Sequence, residues 1–349
     1  MNKLKPQTAP TKPRSSCALS LAQWISHNGL VGFVYHIVST CQSDYHKHLI
    51  HAKTPDTFRR DMHFLRDFAQ PIACDEVAAV SKGRIKPQKR AVHVSFDDGY
   101  QQCFSDARPI LLQLGIPCTF FVTTGFMDNQ MLFYRNAASL IACQIHSEVA
   151  EDRLAKIKMF VAPLQPRAHT KSAWIKAVLS SSSQQIERLI EKLEMEPRSL
   201  LEKYKPYLTR DQVRQMSNEG FTIGAHSLDH SQLQLLSGEK EIERQIVESC
   251  QIVAELTDRP SVPFAIPFGG KGISRELLHR IVQRNEVLSM IFDTRGLRRD
   301  APFVANRIGA DCIRTPPVSG TDLPHRIRKA CIAGLADQWQ TLCCGLSNV

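Results

Sequence analysis

At 349 residues, 43% hydrophobic and 22% charged, the chain has the composition of a globular protein, long enough to bury a full core as one large barrel or two modest domains. No run approaches the roughly 18 apolar residues that span a bilayer, and no tract is collagenous or of low complexity. A net charge of +10 favours anionic partners, but the basic run Lys82, Arg84, Lys86, Lys89 and Arg90 carries no interleaved aromatics and no nucleic-acid motif, which sets nucleic acid aside.

Residues 1–28 begin basic and turn Pro-, Thr- and Ser-rich without an apolar core, so they read as a disordered or weakly ordered lead-in and not as an export signal. The first strand is expected at 31–38. Thr54-Pro55 opens a helix with Phe58, Met62 and Leu65 on one face, and further strands follow at 91–96 and 118–123. From about 135 to 205 the rhythm breaks into polar, helical sequence (Ile186, Leu189, Ile190, Leu193), read as an insertion. Thr209 and Gln212 form a capping box for a short helix ending near Gly220. Strands at 221–225, 263–268, 287–292 and 303–308 then alternate with helices entered at Ser237 and Ser274. Residues 321–349 form a C-terminal helix with Leu323, Ile327, Cys331, Leu335 and Leu342 on one face. It is expected to pack on the core, with peripheral contact at a membrane surface as the alternative.

Near-continuous Val, Ile and Phe in these strands is the mark of strands buried on both faces, and their alternation with helices implies parallel pairing. About seven such units suit a (β/α) barrel over 29–320. The eleven cysteines are scattered and show no CxxC spacing, as expected of free, mostly buried thiols in a reducing compartment, so a cytoplasmic location is expected.

Two segments carry chemistry. In Val94-Ser95-Phe96-Asp97-Asp98-Gly99-Tyr100 an apolar strand ends in adjacent carboxylates, which repel one another unless a cation or shared proton intervenes. A turn with a helix N-cap is the plainer reading of Asp-Gly. In Gly224-Ala225-His226-Ser227-Leu228-Asp229-His230 two histidines four apart follow a second strand, and on a helix they would grip one ion from adjacent turns. One Asp and two His leave coordination positions open for water and substrate, as hydrolytic metals require.

Ser-Phe-Asp-Asp-Gly followed by His-Ser-x-x-His resembles the first two motifs of the polysaccharide deacetylase (NodB homology) domain, carbohydrate esterase family 4. Pro109-Ile-Leu-Leu, Pro117-Cys-Thr-Phe-Phe-Val and Phe264-Ala-Ile-Pro-Phe-Gly269 extend the resemblance over about 31–310. It implies a distorted (β/α)7 barrel and a metal-dependent hydrolase that removes an N-acyl group, usually acetyl, from an amino sugar. By position it makes Asp97 the general base, and Asp98, His226 and His230 the ligands of a divalent metal. Zinc is the natural ion for this set, and cobalt, nickel or manganese also suit it. Tyr100, Pro267 and Phe268 become substrate contacts. No Leu-x-His motif near the C-terminus supplies the general acid. Gly32-Phe-Val-Tyr-His36 resembles the permuted, biofilm-type poly-N-acetylglucosamine deacetylases and points to His36. The third motif lacks the family's Arg, so another group must orient Asp97; Arg307 and Asp293 are the candidates. Asp229 is a candidate second partner of the ligands, whereas Tyr134, Arg135, Trp174 and the group His46, His48 and His51 receive no chemistry.

The expected substrate is an N-acetylated sugar or glycan of surface or exopolysaccharide assembly, and the basic surface would suit one carried on a phosphate lipid at the inner membrane face. A non-catalytic glycan-binding barrel and a deformylase of a lipid-linked amino sugar are the alternatives.

Overall fold

The structure, a computed structural model, describes residues 12–26, 29–87, 90–147, 151–313 and 323–346. The first eleven residues of the expected lead-in, its last two (27–28), and the ends of the C-terminal segment (321–322 and 347–349) lie outside the described residues.

Seven parallel strands, β1 (Leu30–Tyr35), β2 (Ala91–Phe96), β3 (Cys118–Val122), β4 (Thr222–Ala225), β5 (Val262–Ala265), β6 (Leu288–Asp293) and β7 (Val304–Gly309), follow one another round a sheet. β1 closes it by pairing with β2 (Leu30 with Ala91, Tyr35 with Phe96) and with β7 (Gly32 with Arg307). The expected (β/α)7 barrel is thus present, and all seven strands fall where the apolar runs placed them.

The pleat sorts the residues of each strand. In β2 the side chains of Val92, Val94 and Phe96 enter the layer beneath the surrounding helices. His93 and Ser95 point into the barrel, where His93 bonds Thr119 and Ser95 accepts from Arg307. The helix Pro55–Phe68 is capped by the Thr54 side chain and buries Phe58, Met62 and Leu65, as their spacing predicts. Ser274 caps Arg275–Arg284. The long helix begins at Glu239, two residues later than Ser237 suggested.

Between β3 and β4 the chain builds five helices from Tyr134–His146 to Pro197–Tyr204. Their apolar faces form a second hydrophobic core that includes Ile141, Ile157, Val178, Ile186 and Leu189. The insertion shares this core with Ile37, Tyr45 and Tyr100 from the loops of the barrel, and so is packed onto the rim that carries the site.

Two expectations at the termini are corrected or settled. Within the segment read as a lead-in, Lys12–Ile25 is a helix that buries Ala18, Leu19, Ala22 and Ile25. It packs on the C-terminal helix Leu323–Leu346, whose Leu323, Ile327 and Cys331 are buried. The face offered as a membrane contact is thus covered by protein along its described part. Among the described residues no helix is long and apolar enough to cross a membrane. The eight cysteines with described side chains are all free thiols.

Candidate active site

Parallel strands bring everything beyond their C-terminal ends to one rim of the barrel. His36 follows β1, Asp97 and Asp98 follow β2, His226 and His230 follow β4, and Phe268 follows β5. These residues line a single cavity of about 330 Å³.

The turns that aim these side chains are strained. Asp98 (φ 72°), Ser227 (67°), His230 (62°) and Phe268 (59°) all adopt the left-handed conformation, which costs a non-glycine residue about 1 kcal/mol or more and persists only where surrounding structure imposes it. The two histidines are not on a helix, contrary to the spacing argument. His226 sits at the end of β4, and the loop turns back so that His230 N donates to Ser227 Oγ at 2.9 Å.

Asp98 Oδ1 lies 3.4 Å from His226 Nε2 and 2.9 Å from His230 Nε2, and the three side chains are buried. His226 Nδ1 is 2.9 Å from the Ala265 carbonyl, so the proton belongs on Nδ1 and the Nε2 lone pair faces the Asp98 carboxylate. Two acceptors then confront each other, an arrangement that a cation between them resolves. Burial lowers the His230 pKa against the opposing pull of Asp98. Burial works to raise Asp98, but the imidazoles beside it, His230 foremost, hold it well below the usual carboxylate range. Two imidazoles and a carboxylate gathered in this way fit a divalent ion such as zinc.

Asp97 stands beside this set, its Oδ2 4.0 Å from His226 Nε2. Arg307 grips it from within the barrel, with Nη1 to Oδ1 at 2.6 Å and Nη2 to Oδ2 at 2.8 Å. The guanidinium is fully buried, lies over the rings of Phe121 and Phe292, and also donates to Ser95 Oγ. Such a fork leaves the carboxylate one orientation. Of the two candidates for this task, Arg307 is therefore the one in contact. Asp293 is not: it accepts from Gly270 N and Arg275 Nη2 and sits away from Asp97 because β6 directs it to the loop after β5.

His36 has a partner that no sequence pattern singled out. Asp311, two residues beyond β7, accepts from His36 N at 2.6 Å and lies 3.2 Å from Nδ1 through both oxygens. Burial opposes a charge on His36. Asp311, aided by the more distant Asp98 and Asp97, prevails and raises its pKa to about 10. Asp311 itself is held low against its own burial by His36.

Of the proposed substrate contacts, Tyr100 and Phe268 line the cavity, whereas Pro267 is buried between the lining residues Ile266 and Phe268. The Tyr100 amide is bracketed by the bonds Gln101 N to Pro206 O and Leu208 N to Gly99 O and takes part in neither. The insertion adds Phe133 and Arg135; Phe133 packs on the His230 ring and Arg135 lies over Phe268. Arg135 had no sequence signal beyond its charge. Asp229 bonds Gln245 and Ser231 N and neither histidine. His46 is a buried structural residue bonded to Ile50 O, and His48 stacks on His146.

Residues 84–284, more than half of the chain, match the family model for polysaccharide deacetylase. The matched span holds Asp97, Asp98, His226 and His230, while His36, Arg307 and Asp311 lie outside it. Three solved structures are similar in fold. IcaB from Ammonifex degensii is 18% identical with a TM-score of 0.54, over 86% of this chain and 97% of that one. The Streptococcus pyogenes deacetylase PplD, in complex with acetate, is 14% identical with a TM-score of 0.54 over the same shares. BC0361, a polysaccharide deacetylase from Bacillus cereus, is 11% identical with a TM-score of 0.50, over 86% of this chain and 68% of that one. No curated protein matches the sequence.

Proposed function

The chain belongs to the polysaccharide deacetylase family of hydrolases, which act on non-peptide carbon–nitrogen bonds, and on that premise we propose that it removes N-acetyl groups from an amino sugar or glycan with Asp97 as general base and His36 as general acid. The observation that carries this reading is the pairing of the two groups with their buried partners, Arg307 and Asp311, in one cavity beside the ligand set. A divalent cation, zinc by preference, would be held by Asp98, His226 and His230, and would lower the pKa of water and polarise the acyl oxygen.

The chain's own residues do the rest. Arg307 fixes Asp97 so that a free lone pair can take the proton of the attacking water. The Tyr100 amide, which makes neither of the backbone bonds on either side of it, would donate to the oxygen that gains charge as the acyl carbon becomes tetrahedral. His36, protonated through neutral pH, gives its proton to the amine nitrogen as the carbon–nitrogen bond breaks, leaving acetate and a free amine. Phe133, Ile266 and Phe268 give the cavity an apolar wall suited to an acetyl methyl. The family description and the name of BC0361, a polysaccharide deacetylase, support a glycan substrate.

The test is acetate release from N-acetylglucosamine oligomers with metal content measured on the same samples. Wild type should release acetate only when loaded, and Asp98→Ala and His226→Ala should lose both metal and release. Release that survives both substitutions would overturn the reading.

A further inference from the structure

The cavity continues into a groove built by the insertion and by the loop after His230. The two spaces share walls at Phe133 and His230, and the groove, at about 640 Å³, has about twice the volume of the cavity, about 330 Å³. Met131 and Tyr134 come to the groove from the start of the insertion, and Leu235 from the histidine loop. The first turns of the insertion helix Ser183–Lys192 bring Ser183, Gln184 and Glu187.

The two loops that carry Met131 and Leu235 are tied together by backbone. Gly125 N donates to the Leu228 carbonyl at 2.8 Å, and Thr124 N to the Ser227 carbonyl at 3.1 Å. A Cβ at Gly125 would lie 2.5 Å from the Leu228 oxygen, so only glycine lets the loop after β3 come this close to the histidine loop. The groove is therefore shaped by the fold before a ligand arrives, which lowers the cost of binding one.

Its chemistry is mixed. Leu235 is 74% exposed and Met131 45%, two apolar side chains left in water beside a buried ligand set. The side chains of Ser183, Gln184, Glu187 and Gln232 also line the groove and form no hydrogen bond or ion pair among the described residues. Glu187 and Asp229 place carboxylates on its wall, which disfavours an anionic occupant. A lipid chain would strand the free amide and hydroxyl groups without partners. A neutral sugar suits both sets, since its ring has apolar C–H faces and a rim of hydroxyls.

We infer that this groove binds the one or two sugars that flank the reacting sugar, so that the substrate is a neutral N-acetylated oligosaccharide or longer chain and not a monosaccharide. Shared walls at Phe133 and His230 let one glycan run from the groove into the cavity. The inference rests on the deacetylase reading for the occupant of the cavity, whereas the groove's own side chains name the sugar.

The test is acetate release by the full, metal-loaded chain from N-acetylglucosamine oligomers of one to four sugars, in the chitin-type and the six-linked series. In at least one series kcat/KM should rise about tenfold or more from monomer to trimer. The gain should come through KM, because flanking contacts are made equally in ground and transition states. In the double variant Met131→Ser, Leu235→Ser the ratio of kcat/KM, trimer over monomer, should fall about fivefold or more. Both side chains are exposed, so the fold is not at stake.

Calorimetric binding of the same oligomers needs no turnover if the full chain carries His36→Asn, whose amide can still donate to Asp311 but has no proton to give. The trimer should bind about tenfold more tightly than the monomer, and the double variant should lose most of that advantage. If no oligomer is hydrolysed by the wild type, the deacetylase reading fails and calorimetry alone decides the groove. Turnover independent of length would leave the deacetylase reading standing and overturn this one. Equal binding of monomer and trimer, or an advantage unchanged in the double variant, would overturn it as well.

Discussion

Replacing Asp311 by Asn keeps the shape of the contact with His36 and removes its charge. In the wild type the His36 pKa rises from 6.5 to about 10 against the opposing effect of burial, with Asp311 the largest of the groups that raise it. At about 1.36 kcal/mol per tenfold change in proton affinity, that rise is worth about 5 kcal/mol in favour of the imidazolium. Without Asp311, burial should return His36 to the ordinary imidazole range or below it. At pH 8 a group with pKa 10 is about 99% protonated and one with pKa 6.5 about 3%, so the supply of acid should fall roughly thirtyfold.

The assay is kcat/KM against pH, run beside an NMR titration of the His36 ring. The variant should lose its alkaline limb near pH 10 and decline from near neutrality, with metal content unchanged. The same pair bears on stability. A raised histidine pKa stabilises the folded state fully below about pH 6.5, and the gain is lost as pH rises through about 10. Asp311, whose pKa is lowered, contributes above the unfolded carboxylate range, and its gain is lost as pH falls through the lower folded value. The melting-temperature deficit of Asp311→Asn should therefore be largest near pH 6 and shrink toward pH 10. A variant with the wild-type limb and kcat/KM within twofold at pH 8 would refute this account of the acid.

Arg307→Ala leaves the Asp97 carboxylate buried without its fork and should cost about 3–5 kcal/mol, a drop of roughly 5–10 °C in melting temperature by calorimetry. Arg307→Lys should restore part of that stability but little kcat, because an ammonium cannot hold both oxygens; full recovery of kcat would argue against orientation as the role of Arg307. Gly32→Ala would place a Cβ 2.8 Å from Arg307 Cγ and 2.9 Å from the Asn306 carbonyl. It should lower kcat about tenfold at unchanged metal content by displacing the guanidinium, and an alanine variant with wild-type kcat would show that this close approach is idle.

The barrel was legible because strands buried on both faces spell themselves out in Val, Ile and Phe, and because two of them end in residues with no apolar purpose. The candidate ligands Asp98, His226 and His230, which the structure brings together, and Asp97 beside them could be read from those two strand ends. What escaped has physical causes. A four-residue spacing of histidines is compatible with a helix, and only the left-handed backbone at Ser227 and His230 distinguishes the loop that forms instead. The helix Lys12–Ile25 was hidden by its Pro- and Ser-rich start, although Ala18, Leu19, Ala22 and Ile25 repeat with helical period. Asp311 and Arg135 reach the site from a loop beyond β7 and from the insertion, where no local spacing marks them. Arg307 and Asp293 were indistinguishable as polar ends of late strands, since the direction each side chain takes depends on register across the sheet.

Closure of the barrel through β1 and β7 gives the site a history in time. As the chain emerges during synthesis, Asp98, His226 and His230 are all present once β4 has been made. The partner of each proposed proton-handling group, Arg307 for Asp97 and Asp311 for His36, arrives only with the last strand and the loop after it. That strand has to pair with the first, across some 270 residues, before either contact exists. On the proposed roles, an ion could be captured early by an unfinished barrel, while hydrolysis would wait until the first and last strands meet. On that assignment a nascent or locally opened molecule would hold its metal without turning over substrate.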